Sequence, residues 1–223
     1  MREFNTREKK IIKNISIIKA GELRTFSNFL QENCFSLKDG TVFIFLPSQQ
    51  IAILYIKSSF NDSEVRKKIS EFLELISLTE YLRSERYIYS FQFACAQGLN
   101  VMCKDFNKIS QTPNKDINLN ANYHIKPSDA GNIYDKNNAI KFKGFSFKKG
   151  ESSIYDIMEK NLTSPFSPTE ELKQFVKQGF KDNAQIKHEQ TLFYSKLAIG
   201  VAFIFSFISI VISIWNTLIS IYK

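Results

Sequence analysis

The chain has 223 residues, of which 43% are hydrophobic and 14% aromatic, and its formal net charge is +8. That is enough apolar material for one domain with a real core, or two small ones, and it excludes a chain disordered throughout. Its cysteines, Cys34, Cys95 and Cys103, are odd in number and lack paired metal-ligand spacing, which fits reduced thiols and gives no metal site.

The first residues carry charges but no apolar run, so no secretory signal is expected. Asn5 and Glu8 have the spacing of a capping box, after which Ile11, Ile12, Ile15 and Ile18 make one helical face. Gly21 is the expected stop. A second helix over Glu22–Glu32 offers Leu23, Phe26, Phe29 and Leu30, so residues 1–32 read as a helical hairpin. Lys9, Lys10, Lys13 and Lys19 form its solvated side and are able to touch phosphates.

Residues 33–161 read as an α+β domain. Cys34–Leu37 and Thr41–Leu46 flank an Asp39-Gly40 turn and predict a β-hairpin. Thr41–Leu46 and Ile51–Ile56 are apolar on both faces, which places them at the centre of a mixed or antiparallel sheet with helices packed on it. From Asp62 to Arg83 the apolar residues Val65, Ile69, Phe72, Leu73 and Ile76 recur at helical spacing. Arg86–Ala96 follows as a strand, with Tyr87, Tyr89, Phe91, Phe93 and Cys95 on one face, and Gly98 is placed to turn it into Leu99–Lys104 as a second hairpin. Residues 107–138 hold eight asparagines, Pro113, Pro127 and Gly131, and read as a loop-rich insertion with short strands near 122–125 and 132–134. In Ala139–Lys149 the register of Ile140 and Phe142 matches that of Phe145 and Phe147 only if Gly144 adds a residue, which predicts a β-bulge there. A short helix is expected over Ser152–Asn161.

Ser167, Pro168 and Glu170 have the spacing of an N-cap, N1 and N3, and Leu172, Phe175, Val176 and Phe180 form an apolar stripe. This predicts an amphipathic juxtamembrane helix over 166–195 that continues into the next segment, with Asp182-Asn183 its weakest point. From Leu197 to Tyr222 no side chain is charged, and Lys196 and Lys223 close the run. About 20 apolar residues suffice to cross ~30 Å of hydrocarbon, so residues 196–222 read as a transmembrane helix with Tyr194, Trp215 and Tyr222 at its interfaces. The anchor comes last and lysines precede it, which predicts a tail-anchored protein of the cell (inner) membrane with its bulk in the cytoplasm. Within the anchor, Ser206, Ser209, Ser213, Asn216 and Ser220 fall at offsets of 0, 3, 7, 10 and 14, and Ala202 extends the seam. Small and polar residues so aligned let helices approach and hydrogen-bond, which predicts a homo-oligomer. The competing account is that such serines bond their own i−4 carbonyls.

The motifs of phosphate loops, dinucleotide folds, zinc proteases and serine hydrolases are absent. No cofactor is implied, and no enzyme is read. A Cys–His pair, Cys95 or Cys103 with His124, is the remaining nucleophile arrangement, which would make a membrane-tethered hydrolase. Nucleic acid is disfavoured as a partner because no arginine-rich cluster or reader motif occurs. The expected ligand-binding residues are the aromatic row Tyr87, Tyr89 and Phe91 with the basic run Lys141, Lys143 and Lys148.

The layout resembles that of small bacterial membrane effectors in antiviral and abortive-infection systems, where a cytosolic sensor drives an oligomeric membrane helix. The resemblance is one of layout and covers no motif. It implies an anionic ligand such as a nucleotide at the aromatic and lysine site, and bilayer disruption by the seam. A passive membrane adaptor holding a protein partner is the alternative.

Overall fold

The computed structural model describes residues 3–19, 22, 24–90, 99–106, 116–126, 128–162, 164–181 and 183–221, with the side chains of the last helix described over 184–215. The chain divides into two units, one over Phe4–Lys173 and the other over Met1–Glu3 and Gln174–Lys223.

The first unit begins with helix α1 (Thr6–Ser16), whose capping box forms as its spacing predicts. Asn5 Oδ1 accepts from the Glu8 amide at 2.9 Å, and the Glu8 carboxylate accepts from the Asn5 amide at 3.0 Å. The helix stops at Ser16, short of Gly21, which lies outside the described residues. Strand β1 (Arg24–Thr25) precedes α2 (Phe26–Asn33). This helix starts later than expected because Arg24 and Thr25 are taken into pairing with Phe166 and Pro165. The predicted first hairpin shrinks to one bridge, Ser36 to Thr41, because Cys34 instead closes α2 with its amide on Leu30 O at 2.9 Å.

Strands β2 (Thr41–Leu46) and β3 (Ile51–Lys57) pair antiparallel and are buried on both faces, as their composition predicts. Helix α3 (Asp62–Ser84) carries a second capping box, Asn61 with Glu64. It buries Phe72, Leu75, Ile76, Leu78 and Leu82, whereas Leu73, expected on the buried stripe, is exposed. Strands β4 (Ile88–Ser90) and β5 (Asn100–Met102) follow, and the pairs of the expected second hairpin lie outside the described residues. β5 pairs with β2, while β4 joins a different sheet; residues 91–98 lie outside the described residues. The expected insertion supplies strands β6 (Ile117–Asn120), β7 (Tyr123–Lys126) and β8 (Asp129–Asp135), a meander that leads into β9 (Ile140–Lys148). Helix α4 (Ser153–Leu162) and strand β10 (Pro165–Pro168) follow.

The large sheet has the order β5-β2-β3-β9-β8-β7-β6, antiparallel throughout, and β1-β10-β4 form a small one. One face of the large sheet closes on itself. Val42, Ile44, Ile53 and Tyr55 share a buried cluster with Val101, Leu119, Ile125 and Ile133, which come from both ends of the strand order. Phe106, just after β5, meets Tyr123 of β7 at 5.9 Å between ring centroids, so the two ends of the sheet curl together. The other face is covered by helices. Phe72 of α3 meets Phe43 at 5.0 Å and Phe147 at 5.7 Å, and Tyr155 of α4 meets Phe45 at 5.3 Å.

The expected bulge at Gly144 does not occur. β3 and β9 stay in register from Ile51–Lys148 to Lys57–Phe142, so Phe142 faces the curled interior while Phe147 faces α3. The glycine serves close packing: a Cβ there would lie 2.8 Å from Ile53 Cγ2 and 3.1 Å from Tyr55 Cε1.

In place of the helix start at Ser167, Ser167 and Pro168 end β10, and Thr169 caps α5 (Glu170–Lys177), its Oγ1 accepting from the Leu172 amide at 3.2 Å. The juxtamembrane helix is also not continuous. Gly179 and Phe180 adopt left-handed φ values of +69° and +66°, and the Phe180 amide reaches Phe175 O at 2.9 Å while that of Gly179 reaches Val176 O at 3.1 Å. This is a Schellman stop. The break therefore comes before the expected weak point at Asp182-Asn183. Helix α6 (Asn183–Ile221) then runs without interruption.

Candidate functional site

Of the rings and lysines expected to share a site, Tyr89 lies in the small sheet and Lys141, Lys143 and Lys148 in the large one. Tyr87 immediately precedes β4 and is half-buried, with its ring 6.5 Å from that of Tyr81, and Tyr89 on β4 is 57% exposed. Phe91 lies outside the described residues. Lys141, Lys143 and Lys148 belong to β9, and carboxylates offset most of that run. Lys141 lies 3.2 Å from Asp135, Lys148 3.7 Å from Glu151, and Lys149 3.0 Å from Glu159.

The Cys–His arrangement does not assemble among the described residues. Cys103 is fully buried in the curled interior, its Sγ 3.8 Å from Asp105 Oδ2, and burial pushes its thiol up to about 11. His124 instead stacks on Tyr134 at 5.8 Å and lies 3.6 Å from Asp116. Cys95 lies outside the described residues.

A cleft of about 190 Å³ opens elsewhere, between α1 and α3. Its two walls have the same spacing. Arg7, Lys10, Ile11 and Asn14 line it from α1, and Lys68, Glu71, Phe72 and Leu75 from α3. Residues 0, 3, 4 and 7 along a helix share one side, so each wall follows from helix periodicity. The bottom is formed by buried side chains, including Phe35, Leu54 and Cys34, with Asn33, Asp39 and Thr41 completing the lining.

The charges are unevenly engaged. Glu71 takes two cations: Arg7 Nη1 lies 3.4 Å from its carboxylate and donates to its backbone carbonyl at 3.2 Å, and Lys68 Nζ lies 3.0 Å from the same carboxylate. Asp39 accepts from the Ser36 hydroxyl. Lys10 has no partner among the described residues. Asn14 Nδ2 donates to Asn33 Oδ1 at 2.9 Å. Burial pushes the Cys34 thiol up to about 12, with the Arg7 guanidinium pulling weakly the other way, so the bottom of the cleft is uncharged at neutral pH. Sequence reading noted Lys10 only as part of a solvated basic face. The available signal was that the polar and apolar borders of both helices repeat at i, i+3, i+4 and i+7.

Helix α6 holds a 32-residue stretch, Ala184–Trp215, whose most apolar 18-residue window has a mean hydropathy of 2.7 and no buried residue. It is long and apolar enough to cross a membrane. Ala202, Ser206, Ser209 and Ser213 are exposed along it, and the side chains of Asn216 and Ser220 lie outside the described ones. Because α6 is one helix from Asn183, the stripe extends backward through Ala198 and Ser195 to Thr191 at the same 3–4 spacing. Thr191 Oγ1 donates to Lys187 O at 2.9 Å, the i−4 pattern.

No family model, no curated protein and no solved structure matches the chain.

Proposed function

We propose that the protein is a membrane-anchored effector: its α+β unit docks a ligand or partner on the cytoplasmic side of the cell membrane, and α6 spans the bilayer and self-associates. The observation that carries this reading is α6 itself. Large apolar side chains such as Phe203, Phe205, Phe207 and Ile210 are exposed all along it, yet one stripe holds only small and polar residues from Thr191 to Ser213. Lipid covers the apolar sides without further help. Polar side chains gain from a second copy of the same stripe, at ~0.6–2 kcal/mol for each interhelical hydrogen bond.

In the effector role, assembled helices perturb the bilayer. The test is light scattering of the full-length protein in detergent beside a chain ending at Gln190, with dye release from liposomes as the second readout. The expected result is assembly to four or more copies by the full-length protein alone, with leakage. The triple variant Ser209→Leu, Ser213→Leu, Asn216→Leu is expected to abolish both. Monomers in both forms would reduce α6 to an anchor and leave the passive adaptor as the account.

A further inference from the structure

We propose that the cleft between α1 and α3 binds a small amphiphilic anion, a carboxylate or phosphate carried on a single ring-sized apolar body. The inference deepens the ligand-docking half of the reading above, and its test reads binding without reading assembly.

Charge sets the first requirement. Arg7, Lys10 and Lys68 face two carboxylates, Glu71 and Asp39, which leaves an excess of one positive charge on the lining. The internal pairing also leaves donors over. Both contacts of Arg7 with Glu71 use Nη1, so its Nη2 and Nε are uncommitted among the described residues, and the Lys10 ammonium has no partner there. A guanidinium with spare N–H groups beside a free ammonium suits an oxyanion, since charge-assisted hydrogen bonds are the stronger kind. The neutral Cys34 thiol adds no opposing charge.

The second requirement is apolar. Below the charged rim the cleft ends on Phe35, Phe72 and Leu54, each less than 5% exposed. A bare hydrated ion gains nothing from those surfaces, whereas a ring loses water against them. Size is the third constraint. An apolar cavity of roughly 150 Å³ holds benzene, and this cleft measures about 190 Å³. One ring and one anionic head fill it; a nucleotide, with base, sugar and phosphate, exceeds it.

The experiment is calorimetric titration of the full-length protein in neutral detergent with phenyl phosphate and with benzoate, against phenol and inorganic phosphate as half-ligands. The aryl anions are expected to bind and each half-ligand to bind far more weakly. Lys10→Glu, an exposed change, is expected to weaken binding about tenfold, the size of one charge-assisted contact, and Lys10→Arg to retain it. Unaltered affinity in Lys10→Glu would overturn the proposal, as would phenol matching phenyl phosphate. A lipid phosphate offers the same head group, so vesicles containing phosphatidic acid form a further arm. Binding to those vesicles that soluble aryl anions fail to compete would also overturn it. Because no arm depends on oligomer formation, loss of the self-association reading leaves this one standing, and the reverse holds.

Discussion

A methyl group on Gly144 would lie 2.8 Å from Ile53 Cγ2 and 2.9 Å from Gly131 O, with backbone on one side and a buried branched side chain on the other. Neither can move far. Tyr55, the cross-strand partner of Gly144, is fully buried, and its hydroxyl donates to Ala130 O at 2.5 Å. The ring thus occupies the space that the missing side chain leaves, and the hydroxyl ties β3 to β8. Burial, with the charge of Asp129 adding to it, raises the Tyr55 phenol, which stays a donor at any ordinary pH. Gly144→Ala is expected to destabilise the protein by about 1–3 kcal/mol, the usual range for overpacking. Thermal unfolding of the detergent-solubilised protein checks it, and an unchanged midpoint would refute the packing account. Sequence reading identified Gly144 as special but assigned it a bulge. A bulge is needed only if all four apolar residues of β9 share one core, whereas Phe142 faces the curled interior, Phe147 faces α3, and Ile140 and Phe145 are exposed.

At the scale of elements, the strongest local signals gave the right structure. The Asn5–Glu8 box, the doubly apolar β2 and β3, and α3 were all legible because caps and periodicity act within a few residues. The signal at Ser167 lost to a longer-range one: Ser167 and Pro168 pair with Tyr89 and Ile88, and the cap passes to Thr169. Thr169 Oγ1 also lies 3.2 Å from Tyr87 O, so one buried hydroxyl both starts α5 and joins it to the residue before β4. Thr169→Ala is expected to cost about 0.5–2 kcal/mol, the range measured for caps, and Thr169→Ser to restore most of it. Chemical denaturation of both variants measures the difference. Equal loss in the serine variant would assign the effect to the methyl group and packing.

For the whole molecule, the α+β class and the membrane-length helix were legible, while the candidate cleft was not. Hydropathy needs no partner, so α6 announces itself. A cleft between α1 and α3 brings Arg7 and Glu71 together across 64 positions of sequence, and no local pattern reports that. Tyr89 and the lysine run lie in different sheets for the same reason, since sheet membership is set by pairing partners far along the chain. The seam on α6 is a local pattern, and it makes a prediction with a direction in space. In a background without the native cysteines, single cysteines at Ala202, Ser206, Ser209 and Ser213 sit on one side of the helix. Those at Ile204, Ile208, Val211 and Trp215 sit on the opposite side, with the same spacing. A disulfide needs Cα atoms roughly 4.4–6.8 Å apart, which only the helix faces in contact achieve. Mild oxidation in liposomes should therefore cross-link the first set into dimers and leave the second largely monomeric. Two copies packed through the large apolar side would reverse the pattern. Equal cross-linking at all eight positions would mean that the helices meet by diffusion and that the stripe specifies nothing.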